Sequence, residues 1–338
     1  MKKRILYFLI LTLFPILIFS QEKHVSLKFD ARVDFDYFHF MDSDEADDKS
    51  GFAGKYLNVM LDGRINDKVE YHWRQRLNRT NSLTEFFTAT DWAYIDYHLN
   101  DNFTLSAGKQ VVAIGGFEYD YAPIDVFFWS DFWANIPCYQ LGVSIAGKDN
   151  SGRNTLLFQF ANSPFSKVVY ESLYSYNLLW KGNFGWFKTL YSVNMIEYEQ
   201  GDFINYIALG NQFVVGGFTL DLDYTNRYHG KQESFFSDFS IVANAKYSIN
   251  DKWNVFVKGG YDQNKSQKPS TPVSDYWDVC VVPGTEYAFC GGGLEFFPLN
   301  NSRDLRVHAF CAGNNTASQP VNFNVGITWK MKVLDKQY

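Results

Sequence analysis

Beyond its first 19 residues the sequence has no long apolar run, and it has few cysteines, prolines and charged residues. A membrane-spanning helix needs about 20 consecutive apolar residues, so the remaining chain offers no candidate for one. Only 9 of 338 residues are proline and 20% are charged, which argues against a disordered, collagen-like or coiled-coil chain. The net charge of −6 argues against nucleic acid as a partner. What the sequence has instead is aromatic residues, with 9 Trp, 22 Tyr and 32 Phe dispersed along it.

The first 20 residues have the three-part pattern of a secretory signal. Lys2, Lys3 and Arg4 precede the apolar stretch 5–19, and Ser20 begins a polar sequence. We therefore predict that residues 1–20 are a cleaved signal peptide and that residues 21–338 form one domain. A retained anchor helix is the alternative, but the apolar stretch is short for a span.

Apolar and polar residues alternate strictly in segment 321–333, in which Val325, Ile327 and Trp329 alternate with Asn324, Gly326 and Thr328. A period of two predicts a strand with one apolar and one polar face. We count sixteen such segments, beginning near these residues: Val25, Ala53, Val69, Asp91, Phe103, Tyr139, Thr155, Tyr174, Gly185, Phe203, Phe218, Phe235, Trp253, Glu286, Leu305 and Val321. The sequence therefore predicts an all-β protein.

The connections between these segments alternate between short and long. Short ones such as 66–68 and 250–252 consist of turn-forming residues, whereas 41–52, 110–137, 197–202 and 262–285 are longer. This alternation is typical of a transmembrane antiparallel β-barrel with short periplasmic turns and long exterior loops. We therefore expect the protein in the outer membrane of a Gram-negative bacterium. Aromatic residues near strand ends are expected to form interfacial girdles: Tyr56, Tyr71, Trp92, Tyr247, Trp253 and Trp329.

The longest connection, 110–137, combines large apolar groups with acidic ones. An exposed loop rarely carries so many apolar side chains. It is expected either to fold into the lumen and narrow it, or to pack against a neighbouring barrel wall. The candidate constriction residues are Glu118, Tyr119, Asp120, Asp125 and Asp131.

Cationic residues recur at inward-facing strand positions, and rings of one charge select ions in pores. The pore-lining candidates are Lys28, Arg32, Arg64, His72, Arg74, Arg76, Lys188, Arg227, Lys258 and Arg306. Inward carboxylates such as Asp34, Asp221 and Asp223 accompany them, so ordinary charge pairing in the lumen is the alternative to a substrate site.

The run AGKQVVAIGGFEYDYAPIDVFFWSDF, residues 107–132, resembles the segment after the fifth strand of bacteroidete porins of the phosphate-selective porin O and P family. The resemblance implies a sixteen-stranded pore, a homotrimer, and a third exterior loop that folds inward. It also implies anion selectivity through lumen arginines and lysines. This sequence departs from that pattern, because the loop is acidic and has no Lys or Arg after Lys109.

Other motifs are weaker. The acidic run 42–48 fits a solvated exterior loop, with divalent bridging to lipopolysaccharide as the alternative. The four cysteines fit neither a zinc motif nor a disulfide framework, although a Cys280 to Cys290 disulfide is conceivable. We find no catalytic, metal or cofactor motif and expect no enzyme. The predicted function is a porin for small hydrophilic solutes or ions, including anions such as phosphate, and the alternative is a non-conducting surface scaffold.

Overall fold

Sixteen antiparallel strands dominate the computed structural model. It describes residues 24–41, 50–79, 86–166, 171–230, 232, 234–266, 278, 280–316 and 320–337. The strands are β1 (His24–Phe40), β2 (Gly51–Asn66), β3 (Val69–Arg76), β4 (Thr90–His98), β5 (Phe103–Val111), β6 (Tyr139–Lys148), β7 (Asn154–Asn162), β8 (Tyr174–Asn183), β9 (Phe187–Glu199), β10 (Asp202–Val215), β11 (Phe218–His229), β12 (Asp238–Ser248), β13 (Trp253–Asn264), β14 (Thr285–Phe296), β15 (Leu305–Asn314) and β16 (Pro320–Gln337). Every predicted start lies within about three residues of an observed one.

Each strand pairs with its sequence neighbours, and β1 pairs with β16 to close the barrel. In that closing pair Val33 lies opposite Ile327 and Phe35 lies opposite Val325. Because the sheet has no free edge, every strand has a partner on both sides. The predicted all-β, sixteen-stranded antiparallel barrel is confirmed.

The alternation in the sequence separates the two faces of the barrel wall. On β1, Arg32, Asp34 and Asp36 are buried on the inner face, whereas Val33 and Phe35 are exposed on the outer one. The same division continues around the ring. Exposed apolar side chains on the outer face include Leu105, Val143, Phe158, Leu178, Val193, Leu209, Leu222, Ile241, Val257 and Val325.

Two of the residues expected in the outer girdle face the lumen instead. Tyr56 lies opposite the inward Arg32, and Trp92 lies opposite the inward Arg74, whose guanidinium is 4.7 Å from its ring centroid. Their role as outer anchors was therefore a wrong prediction. Both residues follow the alternation of their own strands, because Tyr56 lies two residues before the buried Asn58 and Trp92 lies four residues before the inward Asp96.

Both ends of the chain's described part lie at one end of the barrel, together with the short connections. We call this the turn end and the opposite one the loop end. The predicted long connection at 197–202 is wrong, because β9 extends to Glu199 and β10 begins at Asp202. Gly201 has φ of +83°, which a glycine accommodates without strain in so tight a turn.

An apolar cluster lies inside the barrel near the loop end. It joins the connection between β5 and β6 to inward residues of β9 and β10. Its members are Val112, Ile114, Tyr119, Phe132, Ile136, Phe165, Ile196, Ile204, Tyr206, Ala208, Cys280 and Val281. The connection itself contains the short helices Phe117–Asp120 and Asp131–Asn135.

All four cysteines are free, so the conceivable Cys280 to Cys290 disulfide is not formed. Among the described residues, no helix has the length and apolar character needed to cross a membrane. The predicted signal peptide, the acidic run 42–48 and residues 267–277 and 279 of connection 262–285 lie outside the described residues.

Candidate functional site

The connection 112–138 lies against inward-facing side chains, and its first part is fastened to β7 and β9. The amide of Ala113 donates to Gln159 Oε1 at 2.9 Å, and the amide of Gly115 donates to Ser192 Oγ at 2.8 Å. A Cβ on Gly115 would lie 2.5 Å from the carbonyl oxygen of Leu190. Only glycine permits this approach of the loop backbone to the wall.

Asp223 of β11 holds the start of the short helix Phe117–Asp120. Its two carboxylate oxygens accept from the amides of Phe117 at 2.9 Å and Glu118 at 2.7 Å. A carboxylate satisfies the otherwise unpaired amides at a helix start and carries the charge that the helix dipole favours there. Gly116, just before the helix, has φ of +101°, which turns the chain toward Asp223.

Glu118 joins two parts of the loop to the opposite wall. Lys258 Nζ of β13 lies 2.7 Å from Glu118 Oε1 and donates to the carbonyl of Phe128 at 2.6 Å. Ser130 Oγ donates to Glu118 Oε2 at 2.5 Å. All of these groups are largely buried, so the carboxylate and the ammonium compensate each other.

Asp125 meets two cations of the wall. Arg306 Nη1 lies 3.0 Å from its Oδ1 and Lys330 Nζ lies 2.7 Å from its Oδ2. Burial opposes ionisation of Asp125, but the charges of Arg306 and Lys330 outweigh it and hold the pKa of this carboxyl below its usual value.

Arg32 supports the same stretch of loop. Its Nη1 donates to the carbonyl of Val126 at 2.9 Å, and its Nη2 lies 2.6 Å from Asp34 Oδ2. The guanidinium carbons of Arg32 and Arg306 lie 4.8 and 5.0 Å from the ring centroid of Phe127. The arginines therefore bind the loop through carbonyls and an aromatic face as well as through charge.

Aromatic packing completes the contact with the wall. The Phe127 ring centroid lies 5.2 Å from that of Phe256 and 5.5 Å from that of Phe310. Phe128 lies 5.5 Å from Phe310 and 6.2 Å from Phe289. These separations are typical of favourable ring pairs. The apolar residues of the loop therefore pack against the inner wall.

The other loop candidates have different surroundings. Tyr119 is buried and donates to the carbonyl of Val112 at 3.1 Å, and burial raises the pKa of its hydroxyl. Asp120 is exposed, 3.8 Å from Lys181. The Asp131 amide donates to Asp262 Oδ2 at 2.9 Å, while burial raises the pKa of the Asp131 carboxyl.

The basic row on β3 pairs with one carboxylate of β4. Arg74 Nε lies 3.0 Å and Arg76 Nε 2.8 Å from the oxygens of Asp91. Arg74 and Asp91 are both 3% exposed, so this pair is shielded from the lumen solvent.

The remaining cationic candidates are scattered. Arg227 is fully buried near the loop end, where it bonds Asp278 at 2.7 Å, and Lys188 is half-buried at the turn end. Lys28 and Arg64 lie at the turn end as well, beside Asp62 and Glu70. His72 belongs to this group, with Nδ1 at 2.9 Å from Asp62 Oδ1. The structure therefore divides the candidates into a loop-binding set, a β3 row and a turn-end group, with Arg227 separate from all three.

Sequence reasoning missed several residues that position the loop, namely Gln159, Ser192 and Asn194. Polar side chains at alternate strand positions were the available signal, because Ser192 and Asn194 both face inward on β9. It also missed the grouping of Glu70, His72 and Asp96, whose ligand atoms lie within 4.8 Å of one another. The signal there was the spacing of Glu70 and His72 on β3, repeated by Asp96 and His98 on β4.

Comparison with solved structures finds the same barrel architecture. The outer membrane channel DcaP of Acinetobacter baumannii superposes with a TM-score of 0.65 at 12% identity, covering 91% of this chain and 97% of that one. An anion-selective porin from Comamonas acidovorans gives 0.63 at 10% identity, covering 91% and 100%. A trimer form of OmpT, an outer membrane protein of Vibrio cholerae, gives 0.60 at 12% identity, covering 91% and 99%.

Sequence comparison reaches only part of the chain. No curated protein sequence matches it. One family model does, and the matched segment extends from β1 into β8, including the loop 112–138 described above. The chain thus has the barrel fold of solved porins, and its residues 25–180 match the family model described as phosphate-selective porin O and P.

Proposed function

We propose that this protein is an outer-membrane porin through which small hydrophilic solutes and ions diffuse passively. The observation that carries the proposal is a closed ring of sixteen strands with an apolar outer face and a polar, charged inner face. A sheet can cross a bilayer only when it closes, because lipid offers no partner for free backbone groups. A polar interior then provides the path for water-soluble molecules.

The outer face supports the proposed placement in the membrane. Rows of exposed apolar side chains, including Val33, Val193, Val257 and Val325, match the lipid-facing band of such barrels. We place the turn end in the periplasm and the loop end at the cell exterior. In that orientation the loops face lipopolysaccharide, and residues 1–20 serve as the export signal.

The loop 112–138 is proposed as the constriction. It is fastened to β7, β9 and β11 on one side and to β1, β13, β15 and β16 on the other. A segment held on opposite walls narrows the lumen and sets the size of solute that passes. Glu118, Tyr119, Asp120, Asp125 and Asp131 belong to this constriction, although the acidic members mostly act by holding the loop.

We propose that the pore prefers small anions such as phosphate over other solutes. The match of residues 25–180 to the phosphate-selective porin model supports this class. Most cations near the loop are buried in ion pairs. Lys246 and Lys330 also pair, with Glu295 and Asp125, but their side chains are 37% and 38% exposed. These two lysines are the groups we propose to contact a passing anion.

A homotrimer is the proposed assembly. The similar OmpT has been solved in a trimer form, and a barrel wall with exposed apolar residues suits close packing against a second copy in the membrane.

Conductance of the refolded protein in a planar bilayer tests the function. We expect stable current steps, in groups of three for a trimer, and a reversal potential in a KCl gradient that favours chloride. Added phosphate should reduce the chloride current. Lys330→Gln should shift the reversal potential toward potassium, whereas Lys252→Gln in an exposed turn should leave it unchanged.

A folded barrel that never conducts would overturn the porin proposal and favour the scaffold alternative. The aromatic packing of Phe127 and Phe128 on the inner wall is the observation that favours that alternative. Conduction without any response to phosphate or to Lys330→Gln would leave a porin but remove its anion preference.

A further inference from the structure

A group of metal-ligating side chains lies at the turn end, away from the loop. Glu70 and His72 are on β3, and Asp96 and His98 are on the neighbouring β4. Glu70 lies directly opposite Asp96 in the register. Because both pairs are spaced by two residues, all four side chains project from the same inner face of one hairpin.

The separations of their ligand atoms suit a single metal ion. His72 Nε2 lies 3.5 Å from Asp96 Oδ2 and 4.0 Å from Glu70 Oε2, and His98 Nε2 lies 3.5 Å from Glu70 Oε1. A tetrahedral zinc ion with bonds of about 2.0 to 2.1 Å separates its ligands by about 3.3 Å. Glu70, His72 and Asp96 have ligand atoms within 4.8 Å of one another, and His98 reaches the same Glu70 carboxylate, so modest side-chain adjustments bring the four groups to zinc-binding distances.

Further contacts orient both imidazoles toward the centre of the group. His72 Nδ1 lies 2.9 Å from Asp62 Oδ1, and His98 Nδ1 lies 3.0 Å from Thr104 Oγ1. When each Nδ1 donates to its partner, each Nε2 presents a lone pair to the carboxylates. Hydrogen bonds of this kind orient histidine ligands in metal sites.

The surroundings are charged and accessible. Asp62 lies beside Lys28 and Glu70 lies beside Arg64, whereas Asp96 lies beside His72. These three carboxylates outnumber the two cations when the imidazoles are neutral, which leaves an excess of negative charge. A cavity of about 400 Å³ adjoins the group and is lined in part by Asp62, Glu70 and His72. A hydrated ion can therefore reach the site from the turn end of the lumen.

We propose that Glu70, His72, Asp96 and His98 bind a divalent transition metal ion of the zinc class. Two imidazoles and two carboxylates form a donor set that zinc accepts. The site lies outside the proposed constriction and does not depend on solute transport. In the proposed orientation it faces the periplasm.

Calorimetric titration of the refolded, chelator-treated protein with ZnCl₂ tests this site. We expect one ion per chain, with binding lost in His72→Gln and in His98→Gln. Asp62→Asn, which changes only a supporting partner, should weaken zinc binding about 10- to 100-fold. His24→Gln is the matched control, since His24 lies at the same end but pairs with Asp335 at 2.7 Å.

Folding of each variant is checked by the shift in gel mobility between unheated and heated samples. Zinc binding that is unchanged in folded His72→Gln and His98→Gln would overturn the proposal, as would no binding by the folded parent protein. Because the titration measures binding itself, loss of channel activity cannot imitate either result.

Discussion

Single residues decide where the loop 112–138 is held, and Asp223 shows how. Its carboxylate accepts two backbone amides at the start of the helix Phe117–Asp120. Hydrogen bonds to a charged group contribute about 1.5 to 3 kcal/mol each. Gly115 has a comparable role through its small size, because any side chain there would meet the backbone of β9.

Asp223→Asn should loosen the start of this helix. The amide side chain keeps one acceptor but turns an NH₂ group toward the second backbone N–H. We expect the amides of Phe117 and Glu118 to exchange with deuterium about tenfold faster or more, which corresponds to about 1.4 kcal/mol or more.

Hydrogen exchange monitored by mass spectrometry measures this change. The control is Asp251→Asn in the exposed turn before β13, which should leave the loop peptide unchanged. Equal exchange in Asp223→Asn and the parent protein would show that Asp223 does not hold the loop.

The loop as an element is held by ion pairs on one wall and by hydrogen bonds to Gln159, Ser192 and the Asp223 carboxylate on the other. The ion pairs of Asp125 provide a test that depends on pH. The folded-state pKa of Asp125 lies below its ordinary value of 3.8, so its ion pairs contribute fully above that value. This contribution is lost as pH falls through the lower folded value.

Asp125→Asn should therefore destabilise the barrel at pH 7 by about 1 to 3 kcal/mol, and the difference from the parent protein should close in strong acid. Thermal unfolding in detergent, followed by circular dichroism between pH 7 and pH 2, measures the difference. Asp120→Asn is the control on the same loop, because its exposed contact with Lys181 contributes about 0 to 1 kcal/mol. A difference that persists unchanged at the lowest pH contradicts the assignment of loop anchoring to the ion pairs of Asp125.

The stability of the whole barrel depends on the closed ring of strands and on the contrast between its apolar outer face and its polar inner face. All strands have partners on both sides, so the outer face can be apolar without exposing backbone groups. In the proposed bilayer, a charged substitution at the middle of the outer face should destabilise the barrel, whereas the same substitution near either end should have little effect.

Val193→Arg and Val215→Arg test this difference with the same substitution on the same outer face. Val193 is near the middle of β9 and Val215 is the last residue of β10; they are 51% and 64% exposed. We expect a cost of about 2 to 4 kcal/mol for Val193→Arg and about 0 to 1 kcal/mol for Val215→Arg. Denaturant unfolding in lipid vesicles measures both, and equal costs would contradict the membrane placement.

The amino-acid sequence by itself determined the number of strands, their faces and most of their limits. The reason is that lipid on one side and water on the other impose a period of two, which residues such as Val325 and Asn324 show directly. The prediction went wrong in two places. Tyr56 and Trp92 were assigned to the outer girdle as aromatic residues near strand ends, although they share the strand phase of the inward Asn58 and Asp96, and a tight turn replaces the expected connection at 197–202.

Only the tertiary structure decided which charges meet. Asp125 lies 205 residues from Lys330 along the chain, and Asp223 lies 106 residues from Phe117. No local pattern encodes such pairs, because they depend on the path of a loop across the barrel. The proposed metal site is an intermediate case, since the spacing of Glu70, His72, Asp96 and His98 is visible in the sequence. Strand register was still needed to bring Glu70 opposite Asp96.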